Sequence, residues 1–128
     1  MKSGSEVIRA KAPLRLSFAG GGTDVPPFPE NEGGFVLSAT IDRAAFASLS
    51  PRKDRGVTVT SHDLGREASF QVGDQIHFDG NLDLAKAAVR RVIDKEAGGF
   101  DVTLRSSAPP GSGLGASSAV VVALIGVM

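Results

Sequence analysis

The sequence contains no cysteine, which removes disulfides, thiolate catalysis and cysteine-type zinc sites together. It has no excess of charge: 14 Lys and Arg stand against 14 Asp and Glu. That balance gives neither nucleic acid nor an anionic membrane an electrostatic handle, so a small-molecule or protein partner is expected instead. It has no long hydrophobic run. The longest, Ala119 to Met128, falls well short of the roughly 20 residues that cross a bilayer. The start, Met1 to Ser5, is polar and lacks the apolar stretch of a signal peptide. A cytoplasmic location is expected. Histidine is scarce, and His62 and His77 lack metal-ligand spacing.

What is abundant is glycine, with 16 residues among 128, clustered at 20–22, 33–34, 98–99 and 111–115. Such clusters mark places where backbone bends sharply or approaches something closely. Hydrophobic residues at 41% and charged residues at 22% describe a globular chain with one real core. Val7 to Lys11 reads as a short strand, and Leu14, Leu16 and Phe18 alternate with Arg15 and Ser17 in a second one. Pro26-Pro27-Phe28-Pro29 should continue neither strand nor helix. Phe35 to Leu37, Ala44 to Leu49, Val57 to Thr60 and Ala68 to Val72 read as further strands, with a turn from Pro51 to Gly56. Leu82, Ala85, Val89 and Val92 then share one helical face and Lys86, Arg90 and Asp94 another. Asn81 is the expected N-cap and Gly98-Gly99 the expected stop. Asp74, Asp79 and Asp83 read as turn or capping residues. Phe100, Val102 and Leu104 alternate as a last strand before a glycine-rich turn and an apolar helix. The order predicts an α+β, two-layer sandwich.

Pro110-Gly111-Ser112-Gly113-Leu114-Gly115-Ala116-Ser117-Ser118 lies between that strand and that helix. Small residues there let backbone N–H groups converge on an anion, and the helix N-terminus adds partial positive charge. Ser117 and Ser118 can cap the helix, bind phosphate or reach a magnesium ion. A Walker A loop needs Gly-Lys-Ser/Thr, and no lysine follows Lys95. Gly111-x-Gly113-x-x-Ala116 matches the dinucleotide fingerprint, but Ser106 to Pro110 separate it from the strand that should run directly into it. A bland glycine connector with a serine cap would not require so many small residues.

The segment resembles the second motif of the GHMP kinases, the family of galactokinase, homoserine kinase and mevalonate kinase. Ala12-Pro13-Leu14-Arg15-Leu16-Ser17-Phe18-Ala19-Gly20-Gly21-Gly22-Thr23-Asp24 is similar to the family's first motif, with Pro13, Arg15, Gly20, Thr23 and Asp24 matching by position. Gly21-Gly22 stands where galactokinases have Glu-His, and the run to Pro26-Pro27-Phe28 looks like the heptose 7-phosphate kinase branch or, less closely, the fucokinase branch. The resemblance implies an ATP- and Mg²⁺-dependent kinase acting on an anomeric hydroxyl. It implies a fold like ribosomal protein S5 domain 2. It places Arg15 near the transferring phosphoryl, Gly21, Gly22, Thr23 and Asp24 at the sugar, and residues 110–118 at the nucleotide. The magnesium-ligating serine falls on Ser117, with Ser118 the close alternative. A non-catalytic sugar- or nucleotide-sensing homologue is the rival reading. The family pattern extends past residue 128, so residues 1–128 are expected to be the amino-terminal domain cut within its last helix. Such a piece should lack the carboxy-terminal domain, be inactive alone and self-associate.

Overall fold

The structure, a computed structural model, describes residues 6–128, so the polar start at residues 1–5 lies outside the described residues. Five strands form one mixed sheet in the order β1-β2-β5-β3-β4, where β1 is Ile8–Ala19, β2 Leu37–Pro51, β3 Gly56–Ser61, β4 Arg66–Gln71 and β5 Phe100–Ser106. All neighbours are antiparallel except β3 and β5, which run parallel. Helices α2 (Asp83–Val92) and α3 (Ala116–Val127) contribute to one core with the sheet, and α1 (Phe28–Glu32) is a short turn of helix outside it. This is the expected two-layer α+β sandwich.

The core is built from alternate strand residues: Leu14, Ala47, Leu49, Val57, Val59, Val102 and Leu104 meet Val89, Ala123 and Leu124. Small residues let α3 lie close to the sheet. A methyl added at Gly126 would come within 3.2 Å of Ala10 Cβ, tighter than comfortable packing distance.

Several local expectations are corrected. Residues 8–19 form one strand rather than two, because β1 is an edge strand, where proline costs no ladder partner. Pro13 instead adjoins a bulge, where pairing jumps from Pro13–Ala44 to Arg15–Thr40. Leu14 is buried, but Leu16 and Phe18 are 41% and 63% exposed. Beyond the bulge β1 pairs only with the mostly exposed start of β2, so strand alternation there has no core to face. Phe35 precedes β2, which runs unbroken from Leu37 to Pro51. Pro29 occupies the first turn of α1, where the missing N–H is tolerated.

At α2, Leu82 rather than Asn81 holds the N-cap position, in left-handed backbone with φ 54°. The Asn81 side chain instead donates to Glu67 O at 2.8 Å. The helix ends at Val92, well before Gly98-Gly99. Gly99 serves close approach: a methyl there would lie 2.2 Å from Gly56 O. Val92 is exposed and Lys86 buried, the reverse of the helical-face expectation. Asp74 accepts from Gln71 N, and Asp83 from Asp79 N and Gly80 N, as expected of turn and capping residues.

Candidate nucleotide and sugar site

The glycine loop after β5 is anchored at both ends. At its start, Ser107 N donates to Ala44 O at 2.9 Å, Ala44 N donates to Ser107 Oγ at 2.8 Å, and Ser107 Oγ donates back to Ala44 O at 3.0 Å. Ser106 N donates to the Asp63 carboxylate, and Ala108 N to Ser106 Oγ. At its end, Arg15 N donates to Leu114 O at 3.1 Å. Two segments a hundred residues apart in the chain are thus joined by a backbone bond, and the Arg15 stem and guanidinium run alongside Gly115, 3.6–4.0 Å from where its methyl would be.

Between these anchors the backbone takes conformations that side chains disfavour. Gly111, Gly113 and Gly115 have φ of 76°, 72° and 73°, the left-handed region that glycine enters without penalty. A methyl built at Gly111 or Gly113 would meet nothing within 4 Å, so these residues border open space. The loop feeds α3 with Gly115 at the N-cap position and no side-chain cap bond. The first-turn N–H groups at Ala116, Ser117 and Ser118 come before the first intrahelical donor, Ala119 N to Gly115 O at 3.0 Å. Ser117 and Ser118 are exposed beside them. Neither caps the helix, which leaves both hydroxyls available.

The first glycine loop is braced differently. Thr23 N and Oγ1 donate to Gly20 O at 3.0 and 2.7 Å, Thr23 Oγ1 also reaches Phe35 O at 3.0 Å, and Phe35 N donates to that hydroxyl at 3.1 Å. The Thr23 hydroxyl is therefore committed to the chain, and it sets the loop that carries the exposed Asp24. Gly21 and Gly22 lie at the exposed rim of this turn.

One feature of the site left no periodic signal in the sequence. A groove of about 290 Å³ opens against the second glycine loop, lined on one side by Gly80, Leu82 and Asp83 and on the other by Pro110, Ser117 and Val120. Its lining is dominated by apolar residues drawn from the β3–β4 turn, the α2 entry, β5 and α3. Behind one wall, the Lys86 amine lies 2.6 Å from Asp79 Oδ1 and 3.6 Å from Asp83 Oδ1. The Lys86 hydrogen bond holds Asp79 below the usual carboxylate range, and the Asp79 carboxylate raises Lys86. Among the described residues no cluster of three His, Asp or Glu could hold a metal ion.

The family model described as GHMP kinases N terminal domain matches residues 83–128, which include the whole glycine loop. The D-glycero-alpha-D-manno-heptose 7-phosphate kinase of Campylobacter jejuni is 35% identical over 123 residues. That alignment spans 94% of this chain and so takes in the first motif as well. The chain belongs to the GHMP kinases. It matches their amino-terminal domain, and the fold agrees. The crystal structure of a D-glycero-D-manno-heptose 1-phosphate kinase from Bacteroides thetaiotaomicron superposes with a TM-score of 0.83 at 36% identity, over 94% of this chain and 40% of that one. A galactokinase of Roseiflexus sp. is 33% identical across 91% of this chain and 29% of its own length. The chain spans 36% of the length of the Campylobacter relative. No helix among the described residues is long and apolar enough to cross a membrane.

Proposed function

We propose that the protein carrying this domain transfers the γ-phosphoryl of ATP to the anomeric hydroxyl of a sugar, with a heptose 7-phosphate as its substrate. The observation that carries the reading is the Arg15 N–H to Leu114 O bond, which brings the first motif against the phosphate loop. Similarity to the Campylobacter heptose 7-phosphate kinase supports this choice of sugar.

Each residue then has a task set by its chemistry. The backbone of residues 110–118 and the open first turn of α3 receive the phosphates, as left-handed glycines and uncapped N–H groups favour. The guanidinium of Arg15 stabilises charge as it shifts during transfer, in a reaction governed by positioning and electrostatics. Asp24 accepts hydrogen bonds from sugar hydroxyls at the rim set by Gly21, Gly22 and Thr23. The apolar groove beside Ser117 seats the nucleobase. The exposed hydroxyls of the loop fit a hard, oxygen-seeking cation that also binds phosphate, and Ser117 would hold Mg²⁺, with Ser118 its neighbour. When bound, the ion neutralises phosphate charge.

Screening the full-length protein with ATP against sugars and sugar phosphates tests this reading. Turnover is expected on a heptose 7-phosphate; turnover of mevalonate or homoserine, with none on sugars, would overturn it. On the 128-residue chain alone we propose no turnover, together with self-association through the exposed Val122 and Ile125 of α3. Sedimentation across a concentration series checks the latter, and a concentration-independent monomer would refute it.

A further inference from the structure

We propose that Lys86 is a positioning residue for the nucleobase: it holds the wall of the groove formed by residues 80–83 while itself touching no ligand. This rests on the reading of the groove as the base site. Lys86 is only 5% exposed, and burying a lysine amine is unfavourable unless its charge is matched. A leucine or methionine would fill a core position on α2 without that cost, so the amine needs another reason to be there.

Its three partners supply one. Lys86 Nζ donates to Asp79 Oδ1 at 2.6 Å and to His77 O at 3.1 Å, and it lies 3.6 Å from Asp83 Oδ1. Asp83 accepts in turn from Asp79 N and Gly80 N. The segment between β4 and α2 has no regular structure across 75–78, and Lys86 fastens it at two points to the helix. Arg66 and Asn81 hold its far side to β4 through Gly80 O and Glu67 O, and Arg90 stacks on Phe78 with 5.0 Å to the ring centre. Gly80, Leu82 and Asp83 line the groove; Lys86 stands behind them.

The phosphate loop is anchored elsewhere, through Ser107 to Ala44 and through Leu114 to Arg15. Loosening the wall should therefore weaken what the base contributes and leave the phosphate contribution in place.

The test compares ATP with inorganic tripolyphosphate, by calorimetry on the full-length protein, for wild type, Lys86→Met, Lys86→Arg and Asp79→Asn. Lys86→Met is expected to weaken ATP about tenfold and tripolyphosphate by less than roughly twofold. Lys86→Arg should restore most of the loss. ATP KM should rise with kcat nearly unchanged, a split that general destabilisation would not produce. Asp79 is 62% exposed at its side chain, so Asp79→Asn keeps the fold and should shift ATP in the same direction by less; it decides the matter if Lys86→Met fails to fold. Equal losses for both ligands, or no loss for either, would overturn the role of Lys86. Wild type binding ATP no more tightly than tripolyphosphate would overturn the base site itself, and binding neither would overturn the phosphate-loop reading.

Discussion

A methyl built at Gly20 would lie 1.8 Å from Phe35 O, and one at Gly34 would lie 2.3 Å from Thr23 O, whereas at Gly111 and Gly113 it would meet nothing within 4 Å. Both regions of the site are glycine-rich, and in both several glycines have left-handed backbone. In the first loop, glycine lets the chain press against itself, and Thr23 closes the contact with bonds to Gly20 and Phe35. In the second, glycine keeps a surface bare. The comparison teaches that the first loop is closed on its own backbone and offers side chains outward, while the second is anchored at its ends, with one internal turn bond from Ser112 N to Pro109 O, and offers backbone.

The largest effect should come from breaking the closed loop. Gly20→Val collides with backbone and forces a β-branched residue to φ 77°, which should cost roughly 3–4 kcal/mol, read as a lowered urea midpoint. Gly113→Val has room but the wrong backbone, so stability should fall by only about 1–2 kcal/mol. Its nucleotide affinity should fall by more than that, because the new side chain occupies the space left for phosphate. Wild-type ATP affinity in Gly113→Val would show that the bare surface is not the nucleotide site.

Arg15 joins the two regions, so its side chain sharpens the comparison. Arg15→Ala keeps the backbone bond to Leu114, and kcat should drop about a hundredfold with a smaller change in sugar KM. Unchanged kcat would count against its role in transfer. Within the first loop, Thr23→Val should cost about 0.5–1.5 kcal/mol of stability by removing the hydroxyl's bonds to Gly20 and Phe35. Asp24→Ala should leave the melting temperature alone and raise sugar KM instead. The smallest effect is expected at Ser117→Ala: nucleotide binding should lose part of its Mg²⁺ dependence and little else, measured by titration with and without the ion.

Much of the fold was legible because alternation and helical spacing record which side faces a core. Val57, Val59, Val102 and Leu104 all point inward as their patterns predict. The same rule failed at Leu16 and Phe18, since alternation reports a two-sided strand but not whether anything covers either side. Asn81 and Gly98-Gly99 carry the usual signals of helix ends, yet one is drawn to Glu67 O and the others serve contacts with the β2–β3 turn. Local propensity is a weak prior when a distant partner can offer a better bond.

The site divides along the same line. The sequence by itself determined which residues are candidates to meet phosphate and sugar, because small residues before a helix, and Arg15 shortly ahead of Gly20-Gly21-Gly22-Thr23-Asp24, write their chemistry within short segments. Only the tertiary structure decided that Arg15 lies on Leu114 and Gly115, that Ser107 grips the bulge at Ala44, and that a groove opens between α2 and α3. Those features join residues tens of positions apart, and their geometry follows from how strands pair and helices pack, which no local spacing encodes.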